Sequence, residues 1–391
     1  MSSAISSRAT RSGAALLVGA MACGFDAGMI GYVLPAMRAD THASALTASL
    51  LVSVYVVGMI FAIPAAGEAL RRFGGRRVFH CCAALAVVGA FIAFGSREPV
   101  LLVVARLLQG MGLGPLLPLA AAIVAIEWPS ERQGRMMGLL SLTYGVCYLG
   151  ATVAAPWILR LGWRATFACS CGIAALAAVT RAPAASGGAD VTPRLRDTTH
   201  IVRRMAPIAA ISFGTGIGQA LVIFFPMLAV HRHEVVPADS AILMLPLVVA
   251  GVGTMLVITA MLDRIGAKTI LIAGAVTALG GAVLGALAPA GRISFLVAAA
   301  LLGAGITALC GGPLRYAAAR TVHRDQQGPA QAVVALLTNI GVLAGSSVLG
   351  VLGARGSDER AAIEAAMAIA CALMAAALSP VIALPAHSAA R

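Results

Sequence analysis

The chain has 391 residues, 60% of them apolar and 11% charged, with a formal net charge of +13 and a mean hydropathy of +0.93. Soluble domains carry about 45–50% apolar and about 25% charged residues, so these proportions exclude a soluble enzyme, a disordered scaffold and a free nucleic-acid binder. The positive charge sits between apolar segments rather than in one patch or tail, which points to a membrane and away from a nucleic acid.

A helix needs roughly 20 apolar residues to cross a hydrocarbon core of about 30 Å. Twelve apolar segments bounded by Arg, Pro or Gly clusters follow in order: 13–37, 46–66, 78–94, 100–127, 136–159, 165–179, 205–230, 241–262, 269–287, 293–314, 330–353 and 361–383. The first continues past Cys23 to Pro35, longer than the core of a signal peptide. The sixth is short. With the N-terminus cytoplasmic, nineteen Lys and Arg fall in cytoplasmic segments and eight on the opposite side, the bias that sets membrane orientation. The spacing predicts an all-α integral membrane protein of twelve spans with both termini cytoplasmic. Arg in excess of Lys, with abundant Ala, suggests a GC-rich bacterial genome and hence the inner membrane.

Two landmarks occur twice. Arg72-Phe73-Gly74 after the second span is answered by Arg264-Ile265-Gly266 after the eighth, 192 residues on, and Gln133-Gly134 after the fourth by Gln327-Gly328 after the tenth, 194 residues on. Matched landmarks at nearly one offset predict a duplicated chain: a six-helix bundle over 1–180, a polar cytoplasmic linker over 181–204 and a second bundle over 205–391. Gly74 and Gly266 read as tight-turn residues.

A charge at bilayer depth costs a few kcal/mol at minimum and is a functional candidate by default. Asp26 lies in span one, about 17 Å from its outer end, and Arg106 about 9 Å into span four, at 1.5 Å per residue. A desolvated carboxylate can load and release a proton as access alternates; the plainer reading is a permanent pairing with backbone donors or with Arg106. Arg106 keeps its charge and can clamp an anion or tune a neighbour. Glu127, beside Trp128 at the end of span four, reads as an interfacial charge. Tyr144 and Tyr148 on span five, Gln219, Phe224 and Phe225 on span seven, and the polar Gln109 and Asn339 are candidates to line a substrate cavity, with packing the alternative for the aromatics. No acid lies deep in a span of the second half. The eight Cys fall within or beside spans with no metal-ligand spacing, so neither a metal nor a disulfide is expected, and no phosphate-binding loop is present, so no nucleotide cofactor is expected either.

On these loops and motifs the chain resembles the major facilitator superfamily over essentially its whole length. The stretch Gly67-Glu68-Ala69-Leu70-Arg71-Arg72-Phe73-Gly74-Gly75-Arg76-Arg77 is similar to that superfamily's Gly-x-x-x-Asp-Arg-x-Gly-Arg-Arg loop, with Arg71 where the Asp is expected; Asp263, Arg264 and Gly266 form the second copy. The resemblance implies two pseudo-symmetric six-helix bundles and assigns Gly67, Arg72, Gly74, Arg76, Asp263, Arg264 and Gly266 to conformational gating. Arg106-Leu107-Leu108-Gln109-Gly110-Met111-Gly112 matches the Arg-x-x-Gln-Gly-x-Gly motif of facilitator proton antiporters, which implies proton coupling at Arg106, beside the proton-carrier reading of Asp26 from its burial. Gly150, twelve residues before Gly162-Trp163-Arg164, is a weaker echo of their fifth-span motif. The implied function is proton-coupled efflux of a small organic molecule such as a drug, siderophore or metabolite, by a monomer and not an enzyme. Gly24-Phe25-Asp26 followed by Pro35 also resembles symporters that import aromatic or other organic acids, in which Arg106 would hold the substrate carboxylate. A third possibility is a non-transporting receptor that kept the fold.

Overall fold

The structure of the protein, a computed structural model, describes residues 2–41, 45–96, 98–183, 202–233, 236–287, 291–310, 312–322, 327–353 and 359–384. Its helices are α1 (Ser2–Thr41), α2 (Ala45–Phe73), α3 (Gly75–Gly95), α4 (Pro99–Glu127), α5 (Ser130–Arg160) and α6 (Arg164–Val179), then α7 (Ala206–His233), α8 (Pro237–Leu243), α9 (Leu245–Ile265), α10 (Ala267–Leu287), α11 (Arg292–Cys310), α12 (Gly312–Thr321), α13 (Gln327–Gly353) and α14 (Glu359–Leu378), closed by a 3-10 turn at Ser379–Ala383. Among the described residues there is no strand. Among the described residues, eleven helical segments are long and apolar enough to cross a membrane, where the sequence predicts twelve spans. The difference is α6, at 16 residues the short sixth span.

Helix ends depart from the predicted boundaries for local reasons. The stretch from Gly67 onward, expected as a loop, is still helical to Phe73. Glu68 accepts from Arg71 Nε at 3.0 Å and from Arg72 Nε at 2.6 Å, and such pairs three and four residues apart support a helix. The chain turns only at Gly74, with φ 80°, and at the equivalent Gly266, with φ 83°; a residue bearing a Cβ pays steric cost there. The eighth span is broken at Met244, whose N–H reaches back only three residues, to Ala241 O at 3.2 Å. Pro246, two residues on, has no N–H with which to continue the ladder.

The chain forms two compact units: one holds α1, α3 to α6 and α2 from Val54 onward, the other α7 to α14 and the first turns of α2 up to Ser53. The expected linker falls mostly on residues 184–201, which lie outside the described residues. In the first unit α1 packs on α5, and α3 on both α4 and α6, around a core that includes Leu16, Phe79, Leu116 and Ile123. In the second unit α7 packs on α13, and α11 on both α9 and α10. Ser53 and Ser346 share a buried hydroxyl hydrogen bond of 3.0 Å within that unit.

In a bilayer, where lipid tails are as apolar as Leu, helices associate by close van der Waals packing through small residues. A Cβ at Gly24 would fall inside 3.0 Å of Tyr144 O, at Gly110 of Tyr55 O, and at Gly112 of Cys82 O. In the second unit a Cβ at Gly216 would meet Thr338 O, at Gly303 Leu247 O and at Gly305 Ala278 N just as closely. These glycines pair off at offsets of 192 or 193 residues, so the helices within each unit are held by the same repeated set of close backbone contacts. Gly110→Ala is therefore expected to lower the stability of the purified protein by about 1–3 kcal/mol, the usual cost of overpacking. Gly150→Ala, whose Cβ would meet nothing within 4 Å, should leave stability unchanged or raise it by up to about 1 kcal/mol. Thermal unfolding in detergent checks both, and indistinguishable midpoints would count against the contact.

Candidate functional site

The seam between α1, α2 and α4 determines the site. Gly24 and Gly28 on α1 let the α5 backbone approach at Tyr144 and Tyr148, and Asp26 lies midway between them on α1. On α4, Arg106 stands two turns after the opening Pro99, a residue whose fixed φ suits a first turn, and Gln109 follows three residues later. All three polar side chains are buried: Asp26 is 6% exposed, Arg106 2% and Gln109 0%.

Arg106 Nη1 donates to Asp26 Oδ1 at 3.2 Å and Oδ2 at 3.4 Å, and to Gln109 Oε1 at 3.0 Å. Its guanidinium carbon lies 4.2 Å from the ring centroid of Tyr55 on α2, within the range of a cation–π contact. Arg106 Nε and Gln109 Nε2 are buried without a hydrogen-bond partner. One turn before Asp26, Cys23 Sγ donates to Leu113 O of α4 at 3.2 Å. The cluster thus holds one carboxylate, one fixed cation and two spare donors, enough to exchange a proton and to accept an oxygen-bearing group.

Asp26, Arg106 and Gln109 come together as one group, with Tyr55 as the member that sequence reasoning missed. Tyr144 and Tyr148 lie alongside α1 on α5, their rings stacked with centroids 6.4 Å apart and an interplanar angle of 22°. The candidates on α7 and α13 are in the second unit. Gln219 Nε2 donates to Cys310 Sγ at 2.9 Å; Phe225 is fully buried and stacks on Phe295 at 4.9 Å; Phe224 borders a small apolar pocket with Met227 and Leu349. Asn339 is half-buried on α13. Glu127 is exposed at the end of α4.

Around the two turns, Arg71 Nη2 and Arg72 both pair with Glu68 inside α2, so the acid nearest the substituted motif position is engaged within its own helix. Arg76 Nε donates to Ala182 O at 2.8 Å, tying the start of α3 to the chain after α6. Gly67 is half-buried on α2, Arg264 is exposed, and the side chain of Asp263 lies outside the described residues. Elsewhere in the first unit, Asp40 accepts from Trp163 Nε1 at 2.8 Å and from Arg164 Nη1 at 3.2 Å, fastening the end of α1 to the turn at Gly162. Among the described residues no group of His, Cys, Asp and Glu could hold a metal ion.

Breaking a buried ion pair by removing one partner typically costs 3–5 kcal/mol, because the other charge is left uncompensated. Asp26→Asn and Arg106→Gln should each destabilise the purified protein on the order of 3 kcal/mol, and the double variant by clearly less than their sum. Thermal unfolding of the four proteins tests this; strictly additive losses would mean the two groups do not interact.

Helical spans in two units, built on a repeated set of glycine contacts and holding a buried ion pair in one unit, define a multi-pass membrane protein with the architecture of a secondary transporter. The chain belongs to the Major Facilitator Superfamily, whose family model matches residues 16–346. That family comprises transporters rather than enzymes. The Multidrug resistance protein B homolog of Mycobacterium tuberculosis is 32% identical over 114 residues, covering 29% of this chain and 21% of its own length. The Tetracenomycin C resistance and export protein of Streptomyces glaucescens is 28% identical over 168 residues, covering 42% and 31%. The matches span from about a fifth to about a half of such relatives' lengths. Among solved structures, a mutant of the nucleoside transporter NupG superposes with a TM-score of 0.78 at 14% identity, covering 95% of this chain and 98% of that one. A D-xylose-proton symporter gives 0.72 at 16% identity over 93% and 97%. These two likenesses describe the fold.

Proposed function

We propose that the protein is a proton-coupled exporter of a small organic molecule, such as a drug, siderophore or metabolite, acting as a monomer in a bacterial inner membrane by alternating access, with both termini cytoplasmic. The observation that carries this reading is the buried Asp26–Arg106 pair. A protonated Asp26 no longer carries the charge that Arg106 compensates, so loading a proton loosens the pair and releasing it restores the pair. A substrate whose cationic or hydrogen-bond-donating group is held by the ionised Asp26 carboxylate leaves when Asp26 takes a proton, so proton and substrate occupy the site in turn. Arg106 Nε and Gln109 Nε2 can donate to an oxygen elsewhere on the substrate. Tyr144 and Tyr148, one turn apart on the helix that packs against Asp26, supply an aromatic wall suited to a partly apolar substrate. The export named for the tetracenomycin relative, with the resistance named for the multidrug relative, supports efflux as the direction.

The second unit supports a one-sided mechanism. At the positions 192 or 193 residues after Asp26, Arg106 and Gln109 stand Gly218, Ala299 and Leu302. Asp26 is the only buried carboxylate among the described residues.

The test is proton flux in proteoliposomes with a pH dye trapped inside, on addition of lipophilic cations, aromatic acids or hydroxamate chelators outside. Luminal alkalinisation on substrate entry is the expected antiport signal, and Asp26→Asn should abolish it. Acidification would instead establish symport and an importer, and an undiminished signal in Asp26→Asn would remove that residue from the mechanism.

A further inference from the structure

The geometry points to Tyr55 as the positioning residue of the Asp26–Arg106 pair: its ring pins the Arg106 guanidinium in the plane from which Nη1 reaches Asp26. Arg106 is held on α4 by a flexible stem, and its two polar partners both engage the same nitrogen, Nη1. Two bonds to one atom leave the guanidinium plane free to pivot, while a ring face 4.2 Å from its centre removes that freedom. Asp26 approaches from α1, Gln109 from α4 itself and Tyr55 from α2, so the cation is enclosed from three helices.

Tyr55 is placed there by backbone packing. Gly110, one turn after Arg106, admits the α2 backbone directly at Tyr55, because any Cβ at Gly110 would collide with Tyr55 O. Gly58 on α2 makes the reciprocal contact with Leu107 O and Met111 N of α4, and Gly114 admits Met59. This glycine seam sets the height and rotation of α2 against α4, and with them the position of the ring over the guanidinium.

The repeated half supplies an independent observation. The same seam exists between α9 and α11, where Gly303 faces Leu247 O as Gly110 faces Tyr55 O. There the counterpart of Arg106 is Ala299, and the residue at the place of Tyr55 is Leu247. The packing contact recurs in both halves, whereas the aromatic ring stands only where there is a cation to cover.

The role in coupling rests on the proposed function, but the geometry can be read without any transport. N,N′-dicyclohexylcarbodiimide modifies buried carboxyl groups, and an Asp26 whose two oxygens are both held by Arg106 should react slowly. Labelling at Asp26 is followed by peptide mass spectrometry on the full chain in detergent, with Asp26→Asn as the site control. Tyr55→Phe keeps the ring and should label within twofold of the unaltered protein. Tyr55→Met removes the ring and keeps part of the apolar volume, and should label about tenfold faster; Tyr55→Leu serves if that variant does not fold. In an Arg106→Gln background Tyr55→Met should add no further acceleration. An unchanged rate in Tyr55→Met overturns the proposal, as does equal acceleration in the Arg106→Gln background, which would mean that the ring only shields Asp26 from solvent. In vesicles, Tyr55→Met should lose flux driven by a pH gradient and keep gradient-independent exchange, whereas a merely structural defect removes both. A protein without proton coupling would fail in the flux assay and still give the labelling result.

Discussion

A guanidinium and a carboxylate buried within membrane-spanning helices are the constraint on which the rest of the first unit depends. Either charge alone at that depth is unfavourable by several kcal/mol, so α1 and α4 must hold them within hydrogen-bond reach. The helices do this by giving up side chains. Gly24 and Gly28 bring α5 against α1 on either side of Asp26, and Gly110 and Gly112 bring α2 and α3 against α4 next to Arg106. The motif Arg106-x-x-Gln109-Gly110-x-Gly112 is thus one device: the first two residues carry the polar chemistry, and the glycines admit the helices that enclose it.

Duplication explains both the regularity of the chain and its one asymmetry. The turns at Gly74 and Gly266 adopt nearly the same backbone conformation, and the packing glycines recur at offsets of 192 or 193 residues. Contacts that hold helices together have been kept in both halves. In the second unit the position matching Asp26 is Gly218, where a Cβ would collide with the side chain of Ile306. An acid there would need Ile306 to give way and a cation to pair with, and the residue matching Arg106 is Ala299. Among the described residues, the two equivalent bundles thus hold one buried ion pair rather than two.

Much of this was legible in the sequence because bilayer physics is strict: span length, charge bias and the scarcity of charge at depth each narrow the reading to few outcomes. Asp26 and Arg106 stood out for that reason, and Gly74 and Gly266 because their neighbours repeat. Tyr55 did not stand out. Hydrophobic periodicity does not show which face of α2 meets α4, and an isolated Tyr in an apolar helix reads as packing until the facing Gly110 is placed. The chief signal for it was that an Arg with no acid of its own helix nearby requires partners from others. Helix ends were also misplaced, since Glu68 with Arg71 and Arg72 reads as a polar loop but forms pairs that extend α2 to Phe73. Phe225 was a cavity candidate by composition; its stacking on Phe295 across α7 and α11 depends on tertiary contacts that spacing does not encode.

The central claim, that a single carboxylate carries the coupling, is tested most directly by the number of protons moved per substrate molecule, obtained from the membrane potential and pH gradient at which net flux in proteoliposomes reverses. The account predicts one proton per substrate, falling to none in Asp26→Asn. A value of two, or a value of one that survives in Asp26→Asn, would contradict it.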